Sequence, residues 1–235
     1  MITLNELIEQ HNILGHSCGV KLLYVPLANV EIGNKIVLLG LNPGGNVKNK
    51  KFEIEFNGCA YIDEIWKSNS SPGASPLQVQ IRKLFECIAI TQGCAENGDN
   101  ILRNSVGGNL IPFRSPTWKA LARKNESLQQ GKIIWNEILD SVKPKLIIGF
   151  SGIVKNYLSV RYNCRMKPIP TGWGNYSAYY FRKDKLTVWI LPHLSTFKIF
   201  SSENCRSFVN YFKSSLDAQQ VDSPDCRIIS SAKEL

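Results

Sequence analysis

Three short apolar runs constrain this chain more than anything else in it. They are residues 35–41 (KIVLLGL), 145–150 (KLIIGF) and 186–192 (LTVWILP), and each stops at a polar turn. Runs of this length without polar alternation suit strands covered on both faces. The segments between them carry helical spacing. Leu77, Ile81, Leu84, Phe85 and Ile88 predict a helix over 76–90, and GKIIWNEILDS predicts another over 131–141. Residues 2–14, 118–123, 153–158 and 203–216 also read as helical, or as helix starts. Residues 107–113 (GGNLIPF) read as a further short strand. Residues 176–182 should pair antiparallel with 186–192 around Lys183-Asp184. Strands alternating with helices predict an α/β fold. The expectation is a single domain over 1–216 with a central, mainly parallel four-stranded sheet flanked by helices. Residues 217–235 are polar and read as a tail.

Composition excludes several classes. With 43% hydrophobic and 20% charged residues, the chain has enough apolar surface to form a core. No apolar run approaches the ~20 residues of a membrane helix, so no membrane partner is expected. The polar start MITLNELIEQHN reads as an amphipathic helix rather than a signal sequence. Seven cysteines are scattered without a C-x-x-C pair, which argues against a disulfide framework or a zinc site. A cytoplasmic monomer with reduced thiols is the expectation. The net charge of +9 suits a polyanionic partner.

In parallel sheets, ligands sit beyond the carboxyl ends of the strands, and three such ends carry polar chemistry. Residues 40–45 (GLNPGG) put Asn42 at the tip of a Pro-Gly turn, where glycines allow close approach to backbone. It is not a phosphate-binding P-loop, since GK[ST] is missing. Residues 109–116 (NLIPFRSP) offer Asn109, whose amide can read the edge of a base, and Arg114, which can hold a phosphate. Residues 191–198 (LPHLSTFK) place His193 at a strand end, then a hydroxyl, an aromatic and a lysine. Each also has an ordinary reading, as a turn, a cap or a structural histidine.

Taken together and in this order, GLNPG and HLSTFK resemble the first and last motifs of the uracil-DNA glycosylase superfamily, G-x-[DN]-P-[GY] and H-P-S-P-L-S. Cys205-Arg206-Ser207-Phe208 is similar to that family's C-R-x-F helix start, and KPKLIIGFSGIVKNY to its third strand and following helix. The likeness spans roughly residues 35–215. It implies base flipping and hydrolysis of an N-glycosidic bond, with DNA as partner and no metal or organic cofactor.

The resemblance also implies roles. Asn42 stands where the family has its water-activating Asp or Asn, and an amide can orient water without acting as a base. His193 would donate to the pyrimidine O2 as charge develops there, and Asn109 would read the base. Phe197 would fill the hole left by the flipped nucleotide, while Ser195 and Lys198 would contact phosphates. The aromatic platform comes from the loop after the first motif. Phe52, Phe56 and Tyr61 compete for it, and spacing favours Phe56. Glu64 is either a second polar reader or water-activating base, or a solvated or capping carboxylate. Lys48, Lys50 and Lys51 can touch the DNA backbone or form a solvated loop.

Departures from the family matter. Strict uracil enzymes have a tyrosine where this chain has Gly44, so the pocket should be open near the pyrimidine C5. That favours a monofunctional glycosylase for 5-modified pyrimidines, hydroxymethylated or glucosylated. Such bases occur in some bacteriophage genomes, so antiviral defence is one form of this expectation. The alternatives are a general repair glycosylase for uracil or deaminated bases, a non-catalytic DNA-binding module, and an enzyme of free nucleosides.

Overall fold

The apolar runs become parallel strands because each is covered on both faces. The computed structural model describes residues 3–31, 33, 35–45, 51–55, 57–66, 70–94 and 96–217. Lys48, Lys50, Phe56 and residues 218–235 lie outside the described residues. In chain order the strands are β1 (Val20–Lys21), β2 (Ile36–Gly40), β3 (Phe52–Glu53), β4 (Val106–Asn109), β5 (Leu146–Phe150), β6 (Lys167–Pro170), β7 (Ser177–Lys183) and β8 (Leu186–Leu191). The helices are α1 (Leu4–Ile13), α2 (Ala60–Asp63), α3 (Pro76–Thr91), α4 (Gly98–Arg103), α5 (Lys124–Val142), α6 (Gly152–Arg161) and α7 (Arg206–Asp217).

Among the described residues the main sheet has six strands in the order β4-β2-β5-β8-β7-β6. The expected four-stranded sheet needs correction. β4, β2, β5 and β8 are mutually parallel, and β7 and β6 extend the sheet as antiparallel strands. β6 is Lys167-Pro168-Ile169-Pro170, and proline cannot donate to a ladder. It is tolerated here because β6 lies at the edge and pairs on one side only. A small parallel pair, β1 with β3, forms its own ladder, and the chain just after β1 bonds to β4 through the Tyr24 amide and the Gly107 carbonyl at 2.8 Å.

Alternate residues of each central strand enter opposite cores. Val37, Leu39, Ile147, Val188 and Ile190 join one cluster with Trp135 and Ile138 of α5 and Leu158 of α6. Leu38, Ile148, Trp189 and Leu191 join the other, with Ile81, Leu84 and Phe85 of α3 and Phe208 and Phe212 of α7. The result is a sheet between two helical layers. No helix among the described residues is long and apolar enough to cross a membrane.

Several boundaries differ from the sequence reading, among them 118–123, where only a 3-10 turn over Trp118–Ala120 forms. The strand expected over 107–113 stops at Asn109, after which the Leu110 and Ile111 amides donate to the Gly40 and Leu41 carbonyls. The helix expected from Gly131 starts earlier, at Lys124. Gly131 lies inside it because a Cβ there would stand 2.0 Å from the Leu110 carbonyl oxygen. The glycine marks a close approach between helix and loop, not a helix start.

Candidate functional site

The four parallel strands end level. Gly40 pairs with Asn109, Leu39 with Gly149, and Phe150 with Leu191. A cleft of about 890 Å³ opens at this edge. Asn42, Asn109 and His193 line it together, although they are distant in sequence. Gly44, Lys51, Tyr61, Glu64, Arg114 and Ser195 line it as well. Phe197 lines a neighbouring hollow instead, and Lys198 is exposed beside the turn and lines neither. Phe52 packs edge-on to His11 at 4.9 Å and does not line the cleft. Tyr61 is therefore the platform candidate that the cleft contains among the described residues.

The first and second motifs interlock. A Cβ on Gly40 would stand 2.2 Å from Asn109 Oδ1, so the glycine makes room for the asparagine side chain. Asn42 Nδ2 donates to Ser115 Oγ at 2.9 Å and to the Pro43 carbonyl at 3.2 Å. Ser115 Oγ in turn donates to the Thr117 carbonyl at 2.9 Å. These contacts orient the amide, with Oδ1 as its remaining acceptor. Arg114 donates to the Gly44 carbonyl at 2.9 Å and pairs with Glu53 at 3.0 Å. Both terminal nitrogens of Arg114 are thus engaged within the protein, holding the turn that carries Gly44. A Cβ on Gly44 itself would meet nothing within 4 Å.

His193 follows β8. Its carbonyl accepts from the Thr196 and Phe197 amides, both at 3.0 Å, which folds the turn back on the histidine. Leu194 anchors that turn in the core. Ser195 Oγ lies 2.7 Å from Nδ1. When the serine donates, Nε2 holds the ring proton. His193 is exposed to the open cleft, yet enough protein surrounds the ring to disfavour imidazolium and lower its pKa.

An ionic network lines the same cleft. Lys21 is 2% exposed and forms an ion pair with Glu64, with Glu53 at 3.7 Å. The Trp66 indole donates to the other Glu64 oxygen at 2.6 Å. Gln78, third residue of α3 and part of a capping box with Ser75, pins the Ala60 and Glu64 carbonyls at 2.8 Å each. Glu64 is the C-cap residue of α2 and stays partly exposed, and its carboxylate also balances a buried cation. Asp63 beside it turns to Arg103, with two contacts of 2.6 Å that hold its carboxyl below the usual range.

Tyr24, Tyr61 and Trp66 form an aromatic group on the cleft. The tyrosines stack at 5.3 Å, and the indole stands edge-on to both at 5.6 Å. Burial pushes the Tyr24 phenol up to about 12, with Arg114 and the Asn109 amide pulling the other way. The sequence reading missed Lys21, Tyr24, Glu53 and Ser115. One signal was present: Lys21 interrupts the apolar segment GVKLLYV, and a cation buried there requires partners. Nothing in the local pattern says which.

No protein-family model matches the chain, and no curated protein matches it.

Proposed function

We propose that the chain is a monofunctional DNA glycosylase that hydrolyses the N-glycosidic bond of a flipped, 5-modified pyrimidine. The observation that carries this reading is the convergence of Asn42, Asn109 and His193 on one cleft at the carboxyl edge of the sheet. The motif resemblance supplies the chemistry, and the cleft supplies a place for it.

Asn109, with Tyr24 beside it, reads the edge of the base against the aromatic group. His193 donates from Nε2 to the base O2, where negative charge gathers as the bond breaks. The bond's electron pair leaves with the base. Water oriented by the Asn42 acceptor adds to C1′, and its proton neutralises the departed base anion. A neutral imidazole serves here because it donates without requiring acid, and the lowered pKa keeps it neutral at pH 7. Ser195 and Lys198, beside the turn, are the phosphate contacts in this reading, with Lys51 at the cleft.

Two features favour a 5-substituted base. Gly44 leaves open space where a side chain would reach, and the cleft of about 890 Å³ exceeds what a bare pyrimidine fills. Glu53, Glu64 and Lys21 add polar partners that suit a hydroxylated substituent, hydroxymethyl or sugar-bearing. DNA of that kind in a bacteriophage would make the activity antiviral.

The test is release of base, read as alkali-labile abasic sites. The panel is DNA carrying uracil, mismatched thymine, hydroxymethylated pyrimidines or glucosylated hydroxymethylcytosine. Cleavage confined to modified DNA and lost in Asn42→Ala and His193→Ala supports the proposal. Cleavage of uracil alone replaces it with general repair. Binding without cleavage of any substrate replaces it with a DNA-binding module.

A further inference from the structure

A second hollow, of about 400 Å³, adjoins the cleft. Ser151 and His193 line both, so the two spaces meet at the histidine. The lining of the second is different in kind. Among its described lining residues it holds Lys155, Tyr176, Tyr179 and Phe197 and no carboxylate, whereas the cleft holds Glu53 and Glu64.

Its aromatic face is built rather than incidental. Tyr176 is 54% exposed, and its ring lies 4.3 Å from that of Phe197. Trp173 stands edge-on to Phe197 at 6.2 Å. Phe197 is therefore backed by two aromatics, and Tyr176 presents the open surface. The turn that carries Tyr176 is tied down. The Thr171 amide and hydroxyl both donate to the Tyr176 carbonyl, at 3.1 and 2.7 Å, and the Tyr176 amide donates to the Trp173 carbonyl at 3.2 Å. Gly172, at φ +80°, packs so closely that a Cβ would stand 2.1 Å from the Asn204 carbonyl oxygen. On the opposite element, Lys155 of α6 places its ammonium 4.1 Å above the Tyr179 ring.

A preset aromatic surface and a cation, with no carboxylate among the described lining residues, are the parts that hold one nucleotide of a single strand: a base to stack and a phosphate to balance. We propose that the second hollow is a subsite for the nucleotide next to the flipped one. Its base stacks on Tyr176, and its phosphate faces Lys155. This rests on the reading that the cleft receives the flipped nucleotide. The consequence is recognition of two adjacent unstacked nucleotides, and so a preference for single-stranded or locally opened DNA.

The test uses the full chain and short single-stranded oligonucleotides. Each carries a tetrahydrofuran abasic analogue at the target position and 2-aminopurine on one side or the other. The expected result is a change in 2-aminopurine fluorescence on one side only, lost in Tyr176→Ala and kept in Tyr176→Phe. Tyr176→Ala should weaken binding about tenfold when the neighbouring base is present. It should change nothing when that neighbour is also tetrahydrofuran. Lys155→Met should lower the slope of log affinity against log salt by about 0.7. Equal weakening of both oligonucleotides, or no effect of Tyr176→Ala, overturns the subsite. Base release from the substrate panel is measured alongside. Tyr176-dependent fluorescence without any base release leaves the subsite standing and removes the catalytic reading. Base release indifferent to Tyr176 and to the neighbouring base does the reverse, and absence of DNA binding removes both.

Discussion

Two sets of residues share the cleft, and they are held in different ways. Asn42, Asn109 and His193 stand at the ends of strands, are neutral in the resting site, and are steered by neutral partners such as Ser115 and Ser195. Lys21, Glu53, Glu64 and Arg114 stand on short strands and loops, and are joined by ion pairs around a buried ammonium. The comparison separates two duties. Neutral groups on a rigid sheet can be aimed at charge that develops during a reaction. The ionic set holds loops in place, because a buried charge left without its partner is costly. The first set should therefore govern rate and the second stability.

The largest effect should come from the neutral set. Asn42→Ala and His193→Ala should each lower kcat by about 100- to 1,000-fold, roughly 2.7–4 kcal/mol of barrier. Unfolding by denaturant should stay near wild type for both. A large loss of stability in either variant would collapse the distinction. Gly44→Tyr comes next. The space beyond Gly44 admits a side chain, so the ratio of kcat/KM for a hydroxymethylated base over uracil should fall roughly 100-fold, about 2.7 kcal/mol. An unchanged ratio would mean that the substituent lies elsewhere.

Glu64→Gln tests the ionic set. Lys21 would keep only Glu53, at 3.7 Å. Glu64 is partly solvated, so the expected loss is below that of a fully buried pair, about 2 kcal/mol by chemical denaturation. Lys21→Met should cost less, because the carboxylates it leaves behind reach water. Ser115→Ala sharpens the comparison from the other side. It removes the bonds to both Asn42 and the Thr117 carbonyl; freeing Asn42 should cost roughly 1–1.4 kcal/mol of barrier, seen as a fivefold to tenfold fall in kcat.

The smallest effect on base release lies away from the cleft. His16 stacks on Phe113 at 4.3 Å, and burial lowers its pKa to about 4. The unfolded chain binds this proton first, near pH 6.5. Its contribution to stability is full above pH 6.5 and is lost as pH falls toward about 4. The ring is buried, so by pH 5.5, one unit below the unfolded value, the loss should be about 1.4 kcal/mol. His16→Gln should flatten this part of the pH–stability curve and leave base release unchanged.

Much of the fold was legible in the sequence because its signals are local. The runs at 35–41, 145–150 and 186–192 became β2, β5 and β8, and the spacing of Leu77 to Ile88 became α3. β6 was not legible, since its two prolines argue against a strand until an edge position is known. β1 and β3, two residues each, are too short to show a period. In the site, Asn42 and His193 were named from their places after apolar runs, and Asn109 from the head of the stretch NLIPFRSP. Glu64 was named without its partner, because an ion pair between a residue of β1 and one beyond α2 leaves no trace in either segment.

The sequence by itself determined the three central strands β2, β5 and β8, the polar residues that follow them, and that a glycine stands at 44. These follow from hydrophobic period and turn chemistry, which act over a few residues. Only the tertiary structure decided that Gly40 makes room for Asn109, that Ser115 orients Asn42, and that Lys21 is balanced by Glu64 and Glu53. It also decided that Phe197 is backed by Tyr176 and Trp173. Those pairings depend on how separate strands and loops come together in space, and the physical need of a buried charge or amide for a partner does not say where along the chain that partner lies.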